Sequence, residues 1–394
     1  MQSRSALLLP VDPSASVILK EKVLSIMIRD EIYQCVVKDH LILAFGSKLC
    51  LKFVDTKHLY THISCKMREL GRLLVVLKKD KQVSALSDVL VPQKFSYLVD
   101  CVRELAGFDY ETGMVKIPSL AKKLGHSLKQ CCDILVTSAV MEGQTERKSE
   151  VMDVIYLFNV EWEIQVSKHA LRTLETCKWN KSVLLPLTED IHKLNAYLTE
   201  ETRRLSNFFF SDNFNYMSWR KLLMLTLARV ILFNRKRVGD VQRLTIEAYD
   251  RRHSVTSESD GEILKSLTVV EQILAKNFTR VEVRGKKGRK VPLLLSPEVV
   301  SHLDLLLKLR SDASVSIHNP YVFGYNEKSY VRGCDALRVV AAECHAAKPE
   351  LLTSTNLRKH VATVCQLINL QDADIDQLAN FLGHDVRIHR YVHR

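Results

Sequence analysis

Two stretches near the C-terminus decide how this chain is read: LTSTNLRKHVAT (Leu352–Thr363) and LANFLGHDVRIHRYVHR (Leu378–Arg394). In the first, Arg358, Lys359 and His360 follow one another just inside an apolar helical repeat. The second places His384 behind a Leu-Gly pair and Tyr391 seven positions on. Guanidinium, imidazole and phenol are groups that grip and attack a phosphodiester. Two Arg forks and a His can bind the charge that builds on its non-bridging oxygens. A Tyr hydroxyl, with a pKa near ~10, needs that same field to act as a nucleophile.

Outward from there, the charge supports a polyanion partner. The 394 residues carry a net charge of +12. Residues 215–394 hold 28 Lys and Arg against 19 Asp and Glu, so most of the excess lies in the C-terminal half. A basic half is the electrostatic footprint of a nucleic-acid binder only when motifs back it. With 46% hydrophobic residues the chain can bury cores for two or three domains. No apolar run is long enough to cross a bilayer, so no membrane partner is expected. MQSRSALLLPVDPSAS at the N-terminus is too weakly apolar for a secretory leader. The ten Cys show no C-x-x-C spacing with matching His, so a zinc module and other cofactors are not expected. They read as reduced thiols of an intracellular protein.

The pattern is predominantly helical. Phe95, Leu98, Val99, Val102, Leu105 and Ala106 share one helical face within 93–107. A turn from Gly107 to Gly113 follows, and Pro118 suits the first turn of the next helix. Glu142 to Glu150 reads as a loop, and Val151 to about Cys177 as a long helix with Val154, Leu157, Phe158, Trp162 and Val166 inward. Pro186-Leu-Thr188 opens another. A domain boundary is placed at 206–216, after which Ser218 is a plausible N-cap for Trp219–Phe233. Thr279–Arg284 and Arg289–Leu295 flank Gly285-Lys-Lys-Gly288 as a β-hairpin. Ser296-Pro297 then starts a helix.

Four segments, in order, carry a resemblance. Asn234-Arg-Lys-Arg237-Val-Gly-Asp240-Val-Gln-Arg-Leu244 resembles the R-x-x-E-x-x-x-L box of the tyrosine recombinases, the fold of phage integrases. Thr355-Asn-Leu-Arg358-Lys-His360-Val-Ala-Thr363 resembles their H-x-L-R-H-x-x-A-T box, and Leu382-Gly-His384 their third. The basic hairpin lies between. The resemblance implies a fold that is mainly α with a small β-hairpin. A helical core-binding-like clamp would occupy 91–206 and a catalytic domain 215–394, with 1–90 an unassigned helical region. The family usually continues past this point, so the end at Arg394 is read as a C-terminal truncation.

In that family Arg237 and Arg358 would hold the scissile phosphate, with Asp240 steadying the site. Lys286 would act as general acid, with Lys287 as its rival, His384 would assist and Tyr391 would attack. Arg284, Lys287, Arg289, Lys290, Lys359 and His360 would contact duplex DNA, the implied partner, with homo-oligomers forming on it. The resemblance further implies a nuclear location and is strongest to Crypton-type transposon-derived proteins of animals. The expected activity is strand cleavage and rejoining through a 3′-phosphotyrosine.

Two departures point to a second reading, a domesticated, inactive DNA-binding protein. Thr355 stands where the family has His, and the nucleophile commonly lies nine residues after the third-box His, a place held here by His393. The offset to Tyr391 turns a side chain by ~200° on a helix. A helical interaction scaffold is a third reading, favoured if the hairpin lies away from Arg237 and Arg358. Leu124-Gly-His126 repeats the third-box triplet but reads as helix core. Asp372-x-Asp374-x-Asp376 lacks the Gly and Glu of a calcium loop, and the His389, His393 pair lacks a further ligand.

Overall fold

Ile63, Met67, Leu70, Leu74 and Leu77 recur every three or four residues through Tyr60–Leu77, and each is fully buried. That stripe organises the N-terminal part of the chain. In the computed structural model of the protein, the described residues are 15–53, 59–180, 184–209, 214–252, 277–285, 288–327 and 329–367. They divide into two compact units, Met1–Ser182 and Val183–Arg394. Most lie in helices, joined by one larger antiparallel hairpin and a two-residue one, the fold class the sequence led us to expect.

In the first unit, α1 (Glu31–Lys38), α2 (His40–Lys52), α3 (Tyr60–Leu77), α4 (Phe95–Ala106), α5 (Pro118–Met141), α6 (Thr145–Trp162) and α7 (Lys168–Trp179) surround one core. That core runs without a break from Ala15 to Ala170, so residues 15–90 share a single hydrophobic interior with 95–170. Burying each such Leu or Ile contributes about 1.5–3 kcal/mol. The buried Asp39 ties the parts together. One carboxylate oxygen caps α2 by accepting from the Ile42 N–H (2.8 Å), and the other accepts from the Leu86 N–H (2.7 Å). Leu124-Gly-His126 lies in α5, with Leu124 in the core and His126 exposed. Gly125 is required there, because a Cβ would sit 2.5 Å from Trp162 Nε1.

The polar stretch expected to be a loop is largely the first turns of α6. Its helix forms because Arg147 pairs with Glu150 and donates to the Ser87 carbonyl (3.2 Å). Glu163–Ser167 forms a single π-turn that joins α6 to α7 without breaking the helix. Its cause is legible in the spacing of the buried residues Val154, Phe158, Trp162, Val166 and Ala170. Steps of four drift about 40° per turn away from a 3.6-residue helix, and one wide turn takes up the drift.

The second unit begins with α8 (Thr188–Phe209), whose Leu194, Leu198 and Leu205 pack into a core shared with α9 (Tyr216–Asn234). The division therefore falls before α8, upstream of the boundary read at 206–216. There the aromatic run Phe208–Phe210 disguised a helix that continues to Phe209. Asn215, not Ser218, caps α9, its side chain accepting from the Ser218 N–H (2.9 Å). Then come α10 (Val238–Val241), α11 (Ile246–Asp250), β1 (Thr279–Arg284), β2 (Lys290–Leu295) and α12 (Pro297–Lys308). The unit's last described elements are β3 (Gly324–Tyr325), β4 (Ser329–Tyr330), α13 (Gly333–Glu343) and α14 (Ser354–Leu367). Thr279 pairs with Leu295 and Arg284 with Lys290, so β2 begins at Lys290, one residue later than the Arg289 read from the sequence. The side chains of Val281, Val283, Val291 and Leu293 face the core. Ser296 caps α12.

Candidate functional site

The site grows from the C-terminal end of α9. Asn234, its last residue, is fully buried and grips β2 with both ends of its amide. It donates to the Leu294 carbonyl (2.9 Å) and accepts from the Leu294 N–H (2.7 Å). The base of the hairpin is thereby fixed beside the arginine-rich segment, and β1 runs alongside α10. Arg235 then takes left-handed backbone (φ 51°), a conformation that favours Gly, and its N–H closes the helix on the Ile231 carbonyl (3.0 Å). This reversal throws the next three residues back across the end of α9.

Lys236 points fully inward, and burial pulls its ammonium down to about 7. Its carbonyl accepts from Ser354 Oγ (3.1 Å), the first residue of α14. That bond sets the start of the helix carrying Arg358 against the segment carrying Arg237. Asp240 is buried, at 5% exposure, and its N–H caps back on the Arg237 carbonyl (2.9 Å). Desolvation raises the Asp240 carboxyl, while Arg237, Arg243, Arg358 and Lys236 all act on it in the opposite direction. Among the described residues, the charge of Arg237, Arg243 and Arg358 exceeds that of Asp240.

Arg358 itself is half-buried. Burial lowers its guanidinium to about 10, the like charge of Arg237 pushes the same way, and Asp240 opposes both. Its Nε makes no hydrogen bond among the described residues. The arrangement can do one thing well: a tetrahedral oxyanion would satisfy the two arginines that Asp240 only partly neutralises.

The structure thus brings Arg237, Asp240 and Arg358 together. Lys286, Lys287, His384 and Tyr391 lie outside the described residues, as do Asp372-x-Asp374-x-Asp376, His389 and His393. Arg284, Arg289, Lys290 and Lys359 are exposed, and Lys290 pairs with Glu282 (3.0 Å). His360 is half-buried, within 3.4 Å of Thr188 Oγ1. Burial and the nearby Arg235 lower its pKa. Thr355 is exposed in the first turn of α14. Sequence reasoning missed Asn234, Lys236, Arg243 and Ser354, which build the site. A run of four polar residues closing a long apolar helix was the available signal. No group of His, Cys, Asp and Glu suited to a metal ion occurs among the described residues.

No known family profile matches the chain, and no curated protein matches it. Among solved structures, the XerH site-specific recombinase bound to its difH substrate, in a pre-cleavage complex, superposes with a TM-score of 0.50 at 12% identity. The match covers 98% of this chain and 96% of that one. This chain has the tyrosine recombinase fold. The post-cleavage complex of XerH on palindromic difH also matches, with a TM-score of 0.41, 12% identity, and coverage of 93% and 95%. The tyrosine recombinase fold is shared at an identity that carries no residue-level correspondence, so the site rests on its own geometry.

Proposed function

We propose that this is a DNA-binding tyrosine recombinase-like protein that holds a backbone phosphate of duplex DNA between Arg237 and Arg358. The carrying observation is the convergence of two arginines on one buried carboxylate that only partly neutralises them, with Arg358 Nε unengaged among the described residues. The basic hairpin adds exposed Arg284 and Arg289 from an element anchored next to the site through Asn234. That anchoring counts against a scaffold with no nucleic-acid role. In this reading Lys286 protonates the departing 5′ oxygen, His384 assists, and Tyr391 forms and releases a 3′-phosphotyrosine. The chain would derive from a Crypton-type transposon, act in the nucleus and assemble as a homo-oligomer on DNA.

The test is covalent trapping on a nicked suicide duplex. An adduct lost in Tyr391→Phe supports strand cleavage, whereas an adduct that survives the substitution sinks this assignment of the nucleophile. A second reading, binding without cleavage, is favoured by Thr355, which puts a neutral, exposed hydroxyl where the family has His. It expects no adduct together with salt-sensitive duplex binding that persists in Tyr391→Phe and Lys286→Ala. Binding that ignores salt would remove both readings.

A further inference from the structure

The long helix formed by α6, the π-turn and α7 buries one face in the first unit's core and carries a second apolar face outward. Met152, Tyr156, Val160, Ile164, Leu171 and Trp179 all lie on it, with Tyr156 65%, Ile164 58% and Trp179 91% exposed. Six large apolar side chains along one helix far exceed the scattered exposed residues of an ordinary surface. The charges beside them are sorted by position. Exposed Asp153 and Glu163 flank the first half, and exposed Lys168, Arg172 and Lys178 the second. Asp153, Glu163, Lys168 and Lys178 make no ion pair among the described residues.

This sorting is self-complementary about the midpoint between Gln165 and Val166. Positions equidistant from that point pair acid with base, Glu163 with Lys168 and Asp153 with Lys178. They also pair apolar with apolar, Val160 with Leu171 and Met152 with Trp179. Glu175, the one acid in the basic half, falls level with Tyr156 rather than with another acid, and Arg172 with Asn159. A helix face with these properties is matched by itself turned end for end. An isologous pair places position i of one copy against j of the other, and j against i.

We infer that two copies of this chain associate in solution through an antiparallel pairing of this helix, with the two-fold axis crossing the π-turn. The contact spans ~40 Å of helix, at a rise of 1.5 Å per residue. Each Glu163–Lys168 and Asp153–Lys178 pair is made twice. The inference is independent of the DNA-binding reading, since it involves none of the residues of the arginine site and requires no DNA.

Sedimentation velocity on the full chain without DNA, over a concentration series, tests it. The wild type is expected to pass from monomer to dimer as concentration rises. Val160→Asp and Ile164→Asp, both at exposed positions, are expected to remain monomeric with unchanged helical circular dichroism. Glu163→Lys alone, or Lys168→Glu alone, sets like charges opposite each other and should weaken the dimer about tenfold. Combining both changes in one chain, or mixing the two single variants, should restore it. A wild type that stays monomeric at ~100 µM, far above the micromolar range of weak specific contacts, would overturn the inference. So would a dimer untouched by Val160→Asp, association only on added DNA, or single reversals that the swap does not rescue.

Discussion

Arg358 and Lys236 carry opposite consequences of the same burial. Arg358 remains charged and lacks a full set of acceptors among the described residues, so it is poised for an anion. Its replacement in Arg358→Ala should weaken duplex binding and lower the slope of log affinity against log salt by about 0.9, the loss of one phosphate contact. Arg358→Lys should not rescue it, because an ammonium cannot fork across two oxygens. An unchanged salt slope in titrations from low to high salt would remove Arg358 from the phosphate site.

Lys236 is different because its ordinary pKa near ~10.4 falls to about 7 in the folded chain. Between those values the unfolded chain binds the proton that the native chain has lost, so stability rises with pH across that window. Below pH 7 both states are protonated and the penalty is constant. Lys236→Met removes the linkage. Urea midpoints of the wild type should therefore gain on those of the variant from pH 7 towards pH 10 and run parallel to them below pH 7. Curves that stay parallel throughout would show that the ammonium is not desolvated.

At the scale of elements, Asn234 joins α9 to the hairpin by two bonds to a single residue of β2. Asn234→Ala strands a half-buried N–H and carbonyl at Leu294 and should cost roughly 1–3 kcal/mol. Hydrogen exchange should locate the loosening in β1 and β2, and uniform protection there would contradict the anchoring role. This element level is also where the sequence was most and least readable. The hairpin was visible because β-branched residues alternate around a Gly-Lys-Lys-Gly turn, and α12 because Ser296-Pro297 is a strong start.

The two arginines of the candidate site stand out in the sequence only through their resemblance to the family's spacing. Their support does not, because nothing local distinguishes a fully buried Lys236 from the half-buried Arg235 and Arg237 on either side of it. That burial follows from the left-handed turn at Arg235, at a residue that ordinarily avoids it. Thr145–Glu150 was misread as loop because its helix draws on Ser87, far away in sequence. The end of α8 was hidden by aromatic residues without clear period.

For the whole molecule, two separate cores imply two cooperative units. Leu70→Ala empties a fully buried position in the first and should cost about 2–5 kcal/mol. Calorimetry is expected to resolve two transitions, with Leu70→Ala lowering only one and Asn234→Ala only the other. A single transition shifted by both substitutions would mean that the cores unfold as one.

The π-turn at Glu163–Ser167 has a consequence for how this chain can change in length. Deleting one residue inside an ordinary helix rotates everything beyond it by about 100° and mismatches its buried stripe. Here the wide turn already holds one residue more than an α-helix needs. Removing Gln165 would bring Trp162, Val166, Ala170 and Thr173 onto spacings of three, four and three, the regular α-helical stripe. At this one place in the helix a single-residue deletion would keep both faces in phase.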